Sequence, residues 1–195
     1  YEPMEGALLS WRGSVAQNNV LAQMARLITT TGDANVYLMV SVASQSSALT
    51  TISNAGANMA RGIPLNGTTD TIWIRDYGPR YVYIGQVRAI TDHVYNRPRP
   101  NDDAQPAYFA NYKKHAYYEH ILRHGGGNYH LDANHNGYAT QLIWNENTNL
   151  THPEIHDIWY DYQNIDTHIF PAFPTSVDLT QHLDMWMQVF DDDKV

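Results

Sequence analysis

Residues 73–80 read Trp73-Ile74-Arg75-Asp76-Tyr77-Gly78-Pro79-Arg80. An acid flanked by two arginines, beside a Gly-Pro turn and a tryptophan, is an unusual way to finish a purely structural strand. Thr71 to Ile74 and Arg80 to Ile84 read as strands around the turn Tyr77-Gly78-Pro79. Asp76 then falls where a strand breaks, which is where α/β proteins place functional side chains. The bland alternative has even weight: Asp76 pairs with Arg75 or Arg80, and Trp73 sits in the core.

Outward from this stretch the chain alternates strands and helices. Toward the N-terminus, Ala7 to Trp11 is a short apolar run. Val20, Leu21, Met24, Leu27 and Ile28 then fall on one helical face, and Gly32-Asp33 stops that helix. Asn35 to Val42 predicts a buried strand, and Gln45 to Asn54 a second helix closed by Gly56. Toward the C-terminus, Gln86 to Val94 predicts a strand, and Pro98 and Pro100 break the chain. A helix is predicted from Gln105 to Leu122, ended by Gly125-Gly126-Gly127. Tyr138 to Trp144, His168 to Phe173 and Met185 to Phe190 predict strands. His152 to Tyr162 predicts an amphipathic helix with Pro153 in its first turn. The pattern is two strand-strand-helix-strand cycles, with a third opening where the sequence stops at Asp191-Asp192-Asp193-Lys194-Val195. Domains close in exposed linkers, so the expectation is the N-terminal portion of one larger domain.

Bulk composition excludes several classes. With 195 residues, 43 % hydrophobic and 16 % charged, the chain can bury a sizeable core. Lys+Arg number 12 against Asp+Glu 20, a net charge of −8, and no basic cluster offers a stripe for a phosphate backbone. A cationic ligand suits that field better. No apolar run approaches a membrane span. The chain begins at Tyr1 and has few lysines (Lys113, Lys114, Lys194), which points mildly to an exported, secreted or periplasmic protein. Cysteine is absent, which removes disulfides, zinc-thiolate sites and any cysteine nucleophile within this chain.

Three further stretches carry chemistry. His182-Leu183-Asp184 would project both polar side chains to one face of a strand, and a carboxylate beside a histidine orients the ring for proton transfer. Satisfied core pairs of this kind outnumber catalytic ones. Asn96-Arg97-Pro98-Arg99-Pro100-Asn101-Asp102-Asp103 would hold Arg97 and Arg99 on one side of an extended segment, suited to a carboxylate. The simpler reading is a loop whose arginines neutralise Asp102 and Asp103. Gly125-Gly126-Gly127-Asn128 lacks the following helix of a phosphate loop, so tight backbone passage near a ligand competes with a plain helix stop. His120, His124, His130, Asp132 and His135 are too loosely spaced to predict a metal, and no cofactor is expected.

Taken in order, Trp73-x-Arg75-Asp76-x-Gly78-Pro79, Gly126-Gly127-Asn128-Tyr129 and His182-x-Asp184 resemble the guanidine-modifying (pentein) superfamily. Asn96 to Asp103 is particularly similar to the bacterial peptidylarginine deiminase branch, beside the related agmatine deiminases. The likeness runs from Glu2 to Asp184. It implies an α/β fold that is part of a five-bladed propeller of ββαβ modules, two to three of them present here. It also implies hydrolysis of a guanidino group: Asp76 and Asp184 grip the guanidinium, His182 shuttles protons, Trp73 flanks the substrate's aliphatic stem, and Arg97 and Arg99 select a C-terminal arginine. The implied partners are an arginine-containing peptide or a small guanidino compound, and the remaining half of the enzyme, which would carry the cysteine. There are departures. Met185 stands where some relatives have Cys, and the usual Asp-Gly-x-Gly is stretched to Asp132-Ala133-Asn134-His135-Asn136-Gly137. This chain alone is expected to be inactive. The runner-up reaction is deimination of agmatine to N-carbamoylputrescine, and a non-catalytic guanidine-binding module and a metal-dependent hydrolase built on the histidines are the other rival readings.

Overall fold

The computed structural model describes residues 4–190 and Lys194; Glu2 and most of the closing 191–195 stretch lie outside the described residues. The chain divides into two units, Tyr1–Ile74 with Pro100–Asp102, and Arg75–Arg99 with Asp103–Val195.

The first unit is a parallel βαβαβ arrangement. Strand β1 (Gly6–Ser10), helix α1 (Val15–Thr30), β2 (Asn35–Val40), α2 (Val42–Asn54) and β3 (Gly62–Asn66) form a sheet of order β1-β2-β3. Five consecutive buried residues in β2 give the unbroken apolar run of a strand covered on both faces. Helix α1 starts at a capping box, in which Ser14 accepts from the Gln17 amide and the Gln17 side chain reaches back. Its buried residues are Leu21, Ala22, Ala25 and Thr29, whereas Val20, Met24 and Leu27 are exposed. The predicted face is therefore rotated. Small alanines let the helix approach the sheet closely, and the Thr29 hydroxyl bonds back to the Ala25 carbonyl while accepting from the Asn58 amide. Strand β3 has no counterpart among the sequence expectations; it is short and carries Pro64.

The second unit repeats one module twice. Helical turn α3 (Ile74–Tyr77) leads into β4 (Arg80–Ile84) and β5 (Val87–Tyr95), an antiparallel hairpin closed at Gly85, whose φ of 61° suits glycine. After turn α4 (Pro100–Asp103) and helix α5 (Gln105–Lys113), strand β6 (Ala116–His124) adds in parallel to β5. Strands β7 (His130–Leu131) and β8 (Asn136–Thr140) form the next hairpin. Helices α6 (Leu142–Glu146) and α7 (His152–Gln163) precede β9 (Asp166–Phe170), which pairs in parallel with β8. Each sheet is thus ββαβ. The core gathers Leu122, Tyr129, Ala139, Ile143, Ile155, Trp159 and Ile165, with the Tyr129 and Trp159 rings stacked 4.5 Å apart.

Several predicted elements are corrected. Thr71 to Ile74 forms no strand, because the Thr71 amide and hydroxyl go to the Asp102 carboxylate instead of a ladder. The predicted helix from Gln105 to Leu122 is a helix and a strand. Lys114 turns left-handed (φ 58°), its amide closes α5, and His120, Leu122 and His124 then alternate inward at strand period. The glycine run consequently ends a strand. The strand expected at Tyr138 to Trp144 gives way to α6 after Thr140, and that expected at His168 to Phe173 ends at Phe170. Met185 to Phe190 is not a strand, since the Leu183 carbonyl accepts from the Trp186 and Met187 amides and curls the chain.

Candidate active site

Asp76 lies on the single turn α3, beside fully buried Tyr77. Its Oδ1 accepts from the Gly127 amide at 3.1 Å and faces Nδ1 of His182 at 3.5 Å. Its backbone carbonyl lies 3.1 Å from Nε2 of His93. The bland pairing does not form: Arg80 donates to the carbonyls of Gly126 and Tyr129 with its guanidinium over the Tyr129 ring, and Arg75 lies against His130. Trp73, in the other unit, is 54 % exposed rather than in the core.

His182 and Asp184 do not share a strand face. His182 caps the short 3₁₀ turn Leu183–Met185 that carries Asp184, and turn geometry gathers them. The turn is pinned from behind. Buried Asn128 accepts from the Leu183 amide through Oδ1 at 3.2 Å, and the Thr140 hydroxyl donates to the Gln181 carbonyl at 2.8 Å. His182 is only 4 % exposed.

Gly127 is where the three groups meet. A Cβ there would lie 2.6 Å from Asp184 Oδ2, 2.7 Å from His182 Nδ1 and 2.8 Å from Asp76 Oδ1. The adjoining glycines are equally crowded, Gly126 by the Arg75 carbonyl and Gly125 by the His182 ring. The glycine run is close backbone passage against a cluster of titratable side chains.

The two acids are tuned apart. Burial pushes Asp76 upward, but the His182 hydrogen bond and charge, the Gly127 amide and the charge of Arg97 outweigh it and hold the carboxyl below its usual value. Asp184 is raised, first by burial and then by the neighbouring Asp76 charge, against the opposing pull of His182. Adjacent carboxylates with opposed shifts are the electrostatic mark of a site built for chemistry or for a cation.

Segment 96–99 is not extended, because the Arg99 amide donates to the Arg97 carbonyl and bends it. Arg99 donates to the Tyr95 hydroxyl at 2.9 Å, while the charge of Arg97 reaches Asp76 and Glu146. Asp102 and Asp103 are taken by other donors, Asp102 by the amides of Asp70 and Thr71 and Asp103 by that of Tyr95. The scattered histidines disperse as well: His120 and His124 enter the core, and Asp132 ties its own stretched loop by accepting from Asn134, Asn136 and Tyr138. Among the described residues no three His, Cys, Asp or Glu side chains could hold a metal ion. No helix among them is long and apolar enough to cross a membrane.

Comparison with known proteins gives the family. The family model for the Porphyromonas-type peptidyl-arginine deiminase matches residues 3–195. The chain belongs to that family. Among solved structures it is similar to the agmatine deiminase of Enterococcus faecalis (TM-score 0.81, 16 % identity, 94 % of this chain and 55 % of that one). It is also similar to a C. jejuni agmatine deiminase (TM-score 0.71, 14 % identity, 94 % and 56 %). A candidate arginine deiminase from Porphyromonas gingivalis matches with TM-score 0.70 at 12 % identity over 87 % and 54 %. The chain therefore spans a little over half the length of these structures. Its ββαβ modules are those of the α/β propeller these deiminases share.

Sequence reasoning passed over Thr140 and Glu146, and gave no role of their own to Asn96 and Asn128, which lie in stretches it singled out. Asn128 and Thr140 pin the 181–183 turn, and Asn96, whose side-chain oxygen lies beside the same Gly125 position as the His182 ring, donates to Glu146. Asn128 at least lies inside the Gly-Gly-Asn-Tyr motif; Glu146, in a short helix, carries no local signal.

Proposed function

We propose that the full-length protein bearing this chain hydrolyses a guanidino group, converting a peptide's C-terminal arginine to citrulline with release of ammonia. The convergence of Asp76, His182 and Asp184 on Gly127 carries the reading. A guanidinium is planar and cationic, and two carboxylates gripping its nitrogens orient it and keep its carbon electrophilic. Asp76 and Asp184 have that role. The nucleophile is a cysteine thiolate from outside this chain, which has none. It attacks the guanidinium carbon, and His182 passes a proton to the nitrogen that leaves as ammonia. His182 then takes a proton from water, the resulting hydroxide attacks the same carbon, and the thiolate is expelled as the ureido product forms.

Arg97 supports the choice of a terminal carboxylate. No hydrogen bond or ion pair occupies its guanidinium among the described residues, and its charge already reaches Asp76. Arg99, braced by Tyr95, would complete the clamp. The natural partners are then an arginine-ending peptide and the rest of the same enzyme. Full-length protein given a peptide ending in arginine, its C-terminally amidated form and agmatine should make citrulline from the first far faster than product from the others. Comparable turnover of agmatine would overturn the peptide reading, and binding of all three without ammonia release would favour a non-catalytic guanidine-binding module.

A further inference from the structure

Nδ1 of His182 faces Asp76, but Nε2 is buried with no hydrogen-bond partner. An imidazole that moves protons needs its far nitrogen held, or the ring swings and the near nitrogen loses its aim. Asn96 lies on that side. A Cβ at residue 125 would stand 3.2 Å from His182 Nε2 and 3.3 Å from Asn96 Oδ1, so these two atoms flank one small space that Gly125 leaves open. Asn96 Oδ1 is itself buried without a partner.

The orientation of Asn96 is settled by its other neighbour. Asn96 Nδ2 lies 2.7 Å from Oε1 of Glu146. A carboxylate only accepts, so the amide nitrogen must point to Glu146 and the amide oxygen toward His182. Glu146 has little other business there: its second oxygen, Oε2, is buried and unpartnered. Burial pushes its carboxyl above the usual value, and the Asn96 bond and the charges of His182, Arg97 and Arg123 pull it back.

We propose that Asn96 and Glu146 form a polar arm that fixes the His182 ring from its Nε2 side, Glu146 orienting Asn96 and Asn96 accepting from Nε2–H through one bridging water. Both are positioning residues, and neither touches substrate. With the arm holding Nε2, the Nδ1 edge stays turned toward Asp76 and the space a guanidinium would occupy, so the proton passes through Nδ1. The proposal rests on the deiminase reading for its purpose but not for its geometry.

Three variants test it: Asn96→Ala, isosteric Glu146→Gln, and Gly125→Ala. The third puts a methyl between ring and amide, at a backbone (φ −108°, ψ 143°) that any residue adopts. In this chain itself, the ring ¹⁵N resonances of His182 should move in all three and stay put in Glu154→Gln, a surface control. In the full-length protein, Asn96→Ala and Glu146→Gln should each lower kcat on the order of ten-fold and leave KM within about two-fold. The double variant should be no worse than Asn96→Ala, because the two act as one arm. Unmoved His182 resonances overturn the arm whatever the enzyme turns over. Moved resonances with unchanged kcat, losses confined to KM, or additive losses overturn its positioning role. Moved resonances in a wild-type protein that releases no ammonia from any guanidine keep the arm and overturn the reaction.

Discussion

Replacing Gly127 with alanine would put a methyl carbon into the one space where Asp76, His182 and Asp184 meet. Its contacts of 2.6, 2.7 and 2.8 Å with their polar atoms would be far inside ordinary van der Waals distance. To restore about 3.4 Å, each polar atom must retreat by about 0.6–0.8 Å. All three atoms end flexible side chains, so the fold can give way, at an overpacking cost of about 1–3 kcal/mol. The chemistry cannot give way so easily, because a misplacement near 1 Å costs on the order of 100-fold in rate. The expected result for the full-length protein is therefore a melting transition lowered by some degrees and kcat reduced on the order of 100-fold. Gly126→Ala differs: its methyl would meet the Arg75 carbonyl oxygen, a backbone atom, and should unfold the second unit. Thermal melts of both variants beside citrulline formation by Gly127→Ala check the reasoning. A Gly127→Ala enzyme with wild-type kcat would refute it, because the three groups could then not be acting from where they stand.

Three further outcomes follow from buried polar groups. Burial, opposed by the Tyr117 hydrogen bond, raises Asp92 from 3.8 to about 7. A raised carboxyl stabilises the fold below 3.8 and loses that contribution as pH rises through 7, so Asp92→Asn should gain stability over wild type across pH 4–7, up to about 4 kcal/mol, then level off; urea melts at pH 4, 6 and 8 would show it, and a constant gap would refute it. His93 and His120 are depressed from 6.5 to about 3 and about 4 by burial and the Arg80 charge, so their contribution is whole above 6.5 and fades as pH falls toward those values. His120 alone should cost about 3 kcal/mol by pH 4, and His120→Leu should flatten the acid limb of stability against pH. Asn128→Ala strips acceptors from the buried amides of Thr140 and Leu183 and should cost about 2–4 kcal/mol in denaturant unfolding; a loss under about 0.5 kcal/mol would mean those donors find water instead.

How much of this was legible depended on whether the signal was local. Amphipathic spacing with Pro153 in the first turn placed α7 to within a residue, because a first-turn proline acts through neighbours in sequence. The structure adds a capping box of Thr151 and Glu154 at that start. β6 was misread because its Ala, Tyr, Glu, His and Leu residues also suit a helix, and what decided it was pairing with β5, far away in sequence. The site shows the same division. Asp76, Gly127 and His182 stand far apart in the chain, and no single stretch announces their meeting; only their order did. The assumption that His182 and Asp184 share a strand face gave the right neighbours for the wrong reason, since a 3₁₀ turn pinned by Asn128 gathers them. Glu146 was invisible because a glutamate in a short helix reads as a solvated face until its buried oxygens are seen.

The opposed shifts of Asp76 and Asp184 have a consequence for binding. Asp184 is raised by burial and by the Asp76 charge, so the Asp76 carboxylate hinders ionisation of Asp184 until a cation arrives. A guanidinium laid between them removes the repulsion, favours the carboxylate form of Asp184, and releases whatever proton it held. A group lifted above 3.8 in the free protein and lowered in the complex makes affinity climb with pH through that interval and flatten above it. Titration calorimetry of this chain with an arginine-ending peptide, in two buffers of different ionisation enthalpy at a pH just above 3.8, should report net proton release, and none in Asp184→Asn. Asp76 is already held low by His182 and Gly127, so Asp76→Asn should abolish binding without first passing through a proton-linked regime. Affinity independent of pH from 3.8 upward, with no proton released, would mean the two carboxylates do not share one cation, and the grip assigned to them would fail with it.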